Sequence, residues 1–437
     1  MQQTTMSYQD TCLVPEETIQ VLCQSANAEI ERIRHARHQR YETVYASINA
    51  PTDDDAVAVV QEIIKEKKLL APTMVVVIGI GGSNLGTMAV HQALCGTLYN
   101  DRASLKIYYA DTVDTHYIIQ LGEIVEAALQ RKESVIINVV SKSGTTTETA
   151  ANFHILLALI KQYKPDYAQY IVATTDRGSV LWQFAQQQHF TCLEIPKNVG
   201  GRYSVFTAVG LFPLGLVGVD IQQLCDGAVS AIDPALVPAL SNVPLVRAAI
   251  MAYHYKAGKN IHDMFLFSGS LEAVGKWYRQ LLAESIGKEY TTSGKNVRVG
   301  ITPTVSIGST DLHSVGQLYL GGPRDKLTTF ITVEDTKASV IVPALLNTHE
   351  LVANIDGVAL SAIMSAIIHG TQCAYQAAGL PFVTLHLPNI TPYYLGQLLQ
   401  SFMLEVLYLG FMLDVNPFDQ PNVESYKQET RKILAHE

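Results

Sequence analysis

The stretch "SVIINVVSKSGTTTET", Ser134 to Thr149, decides the fold. Its first seven residues are apolar except for Ser134 and Asn138 and show no alternation, so they predict a strand covered on both faces, as in a parallel sheet. A turn rich in glycine and hydroxyls follows, and then a helical pattern from 146 to 163. The same strand-then-helix rhythm surrounds it. "MVVVIGI" (74–80), "LKIYYA" (105–110), "YIVAT" (170–174) and "TCLEI" (191–195) read as further strands, and 179–188 as a helix. After a helical stretch at 243–256 a second set follows, "IHDMFLF", "VRVGITPTVSI", "TTFITVE" and "FVTLHL", with an apolar helical pattern at 357–378. Alternation of this kind predicts an α/β protein built as two three-layer αβα sandwiches with mainly parallel sheets. The expected divisions are a helical segment 1–50, a first sandwich 51–240, a second 241–415 and a helical segment 416–437.

At the N-terminal side, Pro15 followed by Glu16 and Glu17 opens a helical pattern running to about Ile48, because proline suits the first turn and acids favour a helix N-terminus. "PTDDDAVAVVQEIIKEKKLL" is a second helix, with Thr52 or Asp53 as its N-cap. The 437 residues, 48% hydrophobic and 16% charged, are enough for large cores in more than one domain. A formal charge of −9 argues against nucleic acid or a membrane surface as partner, since both call for broad basic faces. The six cysteines are scattered, with no CxxC pair, and read as reduced. "MQQTTMSYQD" lacks the charged-then-apolar pattern of a signal peptide, and "LGQLLQSFMLEVLYLGFML" is interrupted by Gln397, Gln400, Ser401 and Glu405. The expectation is a cytoplasmic protein in which that segment is a buried or half-buried helix.

Two loops point to a phosphate. "IGIGGSNLG" (78–86) ends the first strand of the rhythm and opens a helix, with glycines where backbone must approach a ligand. It is not the dinucleotide fingerprint, because Asn84 stands where the third glycine belongs, although Asp111 keeps that option open. "GSLEAVGKW" fails as a P-loop, having one residue too many between its glycines and Trp277 in place of Ser or Thr. In the second loop Ser141, Lys142, Ser143 and Thr146 bring hydroxyls, backbone donors and one positive charge to the start of a helix. That set suits a phosphate monoester. A Ser/Thr-rich N-cap is the plainer alternative, but one cap residue satisfies only a donor or two.

"GIGGSNLG" and "SKSGTTTET", with "GGRYSVFTAVGL" (200–211), "ESIGKE" (284–289) and "FDQPNVESYK" (418–427), resemble the glucose-6-phosphate isomerase family, whose domains are of the sugar isomerase (SIS) type. The matches run in order from residue 78 to 427. The resemblance implies an aldose–ketose isomerase of glycolysis and gluconeogenesis. It would interconvert glucose 6-phosphate and fructose 6-phosphate through an enediolate, needing neither metal nor redox cofactor. It assigns the phosphate to the two loops, with Gly82, Ser83, Ser141, Lys142, Ser143 and Thr146 against the substrate.

Glu284 shares an apolar stripe with Leu281 and Trp277, and burial would suit it as a general base; periodicity alone fits an exposed stripe edge as well. The resemblance makes it the base, with Gln280 one turn earlier in the site. Arg202, freed by Gly200 and Gly201, carries a permanent charge able to stabilise an enediolate, although arginines more commonly pair with surface acids. His313, in "GSTDLHSVGQ", is expected just inside a helix capped by Ser309, Thr310 or Asp311. A lone histidine is more often structural; the resemblance assigns it to ring opening, supplied across a homodimer interface. Lys427, on the last helix, is either a snorkelling surface lysine or, as the resemblance implies, a second aid to ring opening. Gln420 would contact sugar or phosphate. The family usually has glycine where this chain has Asn422, which leaves the fine placement of Lys427 open. An enzyme that also accepts mannose 6-phosphate, a non-catalytic sugar-phosphate regulator and a nucleotide-dependent dehydrogenase are the competing functions.

Overall fold

A computed structural model describes residues 4–335, 338–345 and 351–435. Its strands are β1 (Thr5–Ser7), β2 (Pro72–Ile78), β3 (Lys106–Ala110), β4 (Ser134–Val140), β5 (Ile171–Thr175), β6 (Thr191–Glu194), β7 (Ile261–Leu266), β8 (Lys288–Tyr290), β9 (Asn296–Val299), β10 (Thr302–Ile307), β11 (Lys326–Asp335) and β12 (Phe382–Asn389). They form two five-stranded sheets, in the orders β3-β2-β4-β5-β6 and β1-β12-β11-β7-β10, and a hairpin of β8 and β9.

All pairings in the first sheet are parallel. Met74–Ile78 of β2 and Val135–Val140 of β4 are buried throughout, as expected of strands with helices on both faces. The expected helices appear as Thr147–Tyr163, Val180–Gln187, Val243–Lys256, Glu272–Ile286, Leu360–Ala377 and Glu424–Leu434. The order puts β2 and β4 side by side, so the loops leaving their C-terminal ends are neighbours. That is where α/β sheets bind ligands.

Three expectations are corrected. The helical pattern from Pro15 to about Ile48 is two helices, Glu16–Ser25 and Asn27–Ala36. The second ends because Asn49 turns its side-chain amide onto the Ala36 carbonyl at 2.9 Å, while Arg40 adopts a φ of 44°. The segment before these helices is not only helical: β1 pairs antiparallel with β12, Thr5 opposite His386, and extends the second sheet. "VRVGITPTVSI" is not one strand: Arg298 has a φ of 50°, β9 ends at Val299 in the hairpin with β8, and β10 begins at Thr302 beside β7.

Asp53 is the N-cap of Asp54–Lys68, accepting from the Ala56 N–H at 3.0 Å. Among the described residues one helix, Pro392–Met412, is long and apolar enough to cross a membrane, and 83% of its apolar window is buried inside the protein. Its Glu405 is fully buried against Arg247 of Val243–Lys256 and accepts from the Tyr278 hydroxyl at 2.5 Å.

Candidate active site

The loop after β2 and the turn carrying Arg202 touch backbone to backbone. A Cβ on Gly82 would stand 2.1 Å from the Gly201 carbonyl carbon and 2.5 Å from the Arg202 nitrogen, so only glycine fits there. The Ser204 hydroxyl donates to the Gly82 carbonyl at 3.2 Å, and the Trp277 indole N–H to the Arg202 carbonyl at 3.2 Å. Gly81 has a φ of 58°, with the Gln280 amide 3.0 Å from where its Cβ would be. Loop, arginine turn and the helix Glu272–Ile286 are thereby locked together.

The loop after β4 keeps its hydroxyls partly occupied with itself. Ser141 Oγ accepts from the Gly144 N–H at 3.1 Å and shares a hydrogen bond with Thr146 Oγ1 at 3.1 Å. Ser143 Oγ accepts from the Thr145 N–H at 3.2 Å. Thr146, the N-cap of Thr147–Tyr163, makes no side-chain capping bond, which leaves the first N–H groups of that helix open to an anion. Lys142 donates to the Val199 carbonyl at 3.0 Å; burial lowers its pKa from the ordinary lysine value, partly opposed by Asp176.

The arginine is the centre of the site. Arg202 is buried, and its donors are committed in several directions: Nε to Ser285 Oγ at 2.9 Å, Nη1 to Glu284 Oε2 at 3.1 Å and Gln420 Oε1 at 2.6 Å, Nη2 to the carbonyls of Pro417 at 2.5 Å and Asp419 at 3.2 Å. Gln280 Nε2 donates to the other Glu284 oxygen at 3.1 Å. One amide and a guanidinium therefore fix the carboxylate, one on each oxygen. Glu284 keeps 32% of its side-chain exposure, so the expected burial is corrected: it sits at the mouth of the cluster with its charge countered by Arg202. Tyr203 is buried beside them, its hydroxyl donating to the Pro417 carbonyl at 3.0 Å. Burial raises its pKa, and Arg202 opposes the rise.

Two of the expected residues stand apart within the single chain. His313 closes a 3-10 turn, Thr310–His313, beyond the C-terminal end of β10, rather than entering an α-helix. It is exposed, and Asp311 spends its carboxylate on the Ile307 N–H instead of capping a helix. Lys427 pairs with Glu424 at 2.7 Å on Glu424–Leu434, a helix with no buried residue. Among the described residues, no group of three or more His, Cys, Asp or Glu is arranged to hold a metal ion.

Sequence comparison bears on this arrangement directly. The family model described as phosphoglucose isomerase matches residues 65–437. The chain belongs to the phosphoglucose isomerase family. It is 36% identical over 371 residues to a glucose-6-phosphate isomerase of Carboxydothermus hydrogenoformans, covering 83% of this chain and 79% of that protein. A relative of the same name from Parabacteroides distasonis is 39% identical over 377 residues, covering 83% of this chain and 80% of the other. In structure, a glucose-6-phosphate isomerase from Chlamydia trachomatis superimposes with a TM-score of 0.82 at 21% identity, over 99% of this chain and 88% of that one, which establishes the shared fold.

Among the residues of the cluster to which sequence reasoning gave no role are Lys288 and Asp419. Lys288 donates to the Glu284 and Asp419 carbonyls, each at 2.6 Å, and stands 3.3 Å from Asp419 Oδ1. Both residues lie inside motifs already singled out, and Lys288 follows Glu284 by one helical turn. That spacing was the available signal.

Proposed function

We propose that this chain interconverts glucose 6-phosphate and fructose 6-phosphate by proton transfer through an enediolate, with Glu284 as the base. The observation that carries the reading is Glu284 held by Arg202 and Gln280 against the glycine loop 81–83, next to the hydroxyl loop 141–146. With the phosphate on Gly82, Ser83, Ser141, Lys142, Ser143 and Thr146, the open-chain sugar extends toward Glu284. The carboxylate removes the C2 proton of the aldose and the electron pair moves through the C1–C2 bond onto the C1 oxygen; the C2 hydroxyl then yields its proton to the C1 oxygen, the C2 carbonyl forms, and the abstracted proton returns at C1. Arg202 supplies fixed positive charge where the enediolate oxygens develop, which lowers the barrier without a metal. Its Nη1 edge, now shared with Glu284 and Gln420, is the side from which it can exchange partners.

Ring opening precedes proton transfer. We assign it to His313 from a second subunit, a role supported by its exposed position in the turn after β10. Lys427 would take part once the helix Glu424–Leu434 is packed by that partner. A homodimer working in the cytoplasm, with each chain divided near residue 240, completes the proposal.

The direct test is a coupled assay with fructose 6-phosphate and no added metal. Glu284→Gln should end exchange of the C2 proton with solvent while sugar-phosphate affinity stays close to native. A variant with native turnover would remove Glu284 from the role of base.

A further inference from the structure

We infer that Lys288 is a positioning residue of this site, its ammonium holding the Glu284 end of the helix Glu272–Ile286 and the Asp419–Gln420 backbone at fixed separation across the Arg202 guanidinium. The inference rests on the isomerase reading above. The geometry is specific. Lys288 begins β8, immediately after the helix ends at Ile286, and its side chain turns back to the carbonyl of Glu284, one of the acceptors a helix C-terminus leaves without partners. From there it reaches the carbonyl of Asp419, 131 residues away in sequence. That carbonyl also receives Arg202 Nη2, so two buried cations meet on one oxygen. Gln420, the next residue, places its side-chain oxygen on Arg202 Nη1 beside the Glu284 carboxylate. Lys288 thus ties together the backbones on which the base and the amide opposite it are mounted.

Three acceptors surround the nitrogen: Glu284 O, Asp419 O and Asp419 Oδ1. An ammonium has three N–H donors, enough for all of them, whereas a neutral amine has two and must release one. The charged groups facing Lys288 are Arg202 from the 200–204 turn, Glu284 from the preceding helix and Asp419 from the 417–420 segment. Burial and Arg202 drive its pKa down to about 8, and Asp419 and Glu284 resist. The clamp therefore opens within reach of physiological pH. Arg202 cannot do the same, since a guanidinium keeps its charge there.

The test compares the unaltered chain with Lys288→Met and Lys288→Arg in the fructose 6-phosphate assay across neutral and alkaline pH. The phosphate loops are untouched, so Lys288→Met should lower kcat by about tenfold or more with a much smaller change in KM, the pattern of displaced catalytic groups. The unaltered chain should lose kcat as pH rises through about 8, and Lys288→Arg, charged throughout, should recover activity and move that loss to higher pH. The inference is overturned by native kcat in Lys288→Met, or by an alkaline limb that is absent from the unaltered chain or unchanged in Lys288→Arg. If Lys288→Met fails to fold, the pH profiles of the other two proteins decide. An unaltered chain without activity at any pH overturns the isomerase reading itself, and this inference with it.

Discussion

Replacing Gly82 by alanine should disconnect two parts of the site without removing a single polar group. The added methyl would lie 2.1 Å from the Gly201 carbonyl carbon, against an ordinary contact that begins near 3.4 Å, so the two backbones must part by about 1.3 Å. Neither neighbour is the free end of a side chain: both are backbone, and the turn they belong to is held by Ser204 and Trp277. Arg202 would move with that turn while Ser285, Glu284 and the Pro417 carbonyl hold the guanidinium from the other side. A shift of about 1 Å in a group that must meet a developing charge costs on the order of 100-fold in rate. The stability cost is the ordinary one for overpacking, about 1–3 kcal/mol. Gly82→Ala should therefore remain folded by circular dichroism and by urea titration while kcat/KM for fructose 6-phosphate falls about 100-fold, the loss estimated above. The control is Gly122→Ala, inside the helix Thr115–Gln130, where a Cβ meets nothing within 4 Å. It should gain up to about 1 kcal/mol from helix propensity and leave activity alone. If Gly82→Ala kept native kcat/KM, the contact between the glycine loop and the arginine turn would have no part in setting the site.

Three further outcomes follow from the same structure. The double variant Ser141→Ala, Thr146→Ala should raise KM and spare kcat, costing at most a few kcal/mol of binding, as lost donors to a charged group do; unchanged affinity for inorganic phosphate and fructose 6-phosphate would remove the phosphate from this loop. Arg247→Met strands Glu405 without a cation in a fully buried position, so urea denaturation should show a loss of about 3–5 kcal/mol, and a loss under about 1 would show the pair to be dispensable. His91 and His262 are buried neutral, with pKa values pushed down by desolvation to about 4 and about 3. Below about 6.5 the unfolded chain takes up protons that these rings refuse, so stability should fall with falling pH by up to about 1.4 kcal/mol per unit for each. His262→Gln should flatten that slope in urea titrations, and an unchanged slope would exclude it as a source.

What could be read from the sequence was local, and what could not was made by segments meeting from far apart. The strands β2 and β4 announce themselves because each is a nearly continuous apolar run, and both ligand loops because glycine and hydroxyl residues follow those runs directly. β1 escaped notice: three residues, Thr5 to Ser7, carry no usable period, and only the partner β12, nearly the whole chain away, makes them a strand. Glu284 was legible as a position on a helix face but not in its exposure, because that depends on Arg202 and Gln420, which approach from 82 residues before it and from the end of the chain. Lys288 is the plainest case. By sequence it is a lysine just past a helix, the usual complement to a helix dipole at the surface. Only the return of residues 417–420 buries it and turns it into a link between the end of the helix that carries Glu284 and the segment that carries Gln420. His313 and Lys427 mark the opposite limit: the sequence around them is distinctive, but in the single chain His313 is exposed and Lys427 pairs with Glu424 on a helix with no buried residue. Ile433 and Leu434 stand exposed on the same helix as Lys427, so nothing among the described residues of the single chain fixes where that helix face packs.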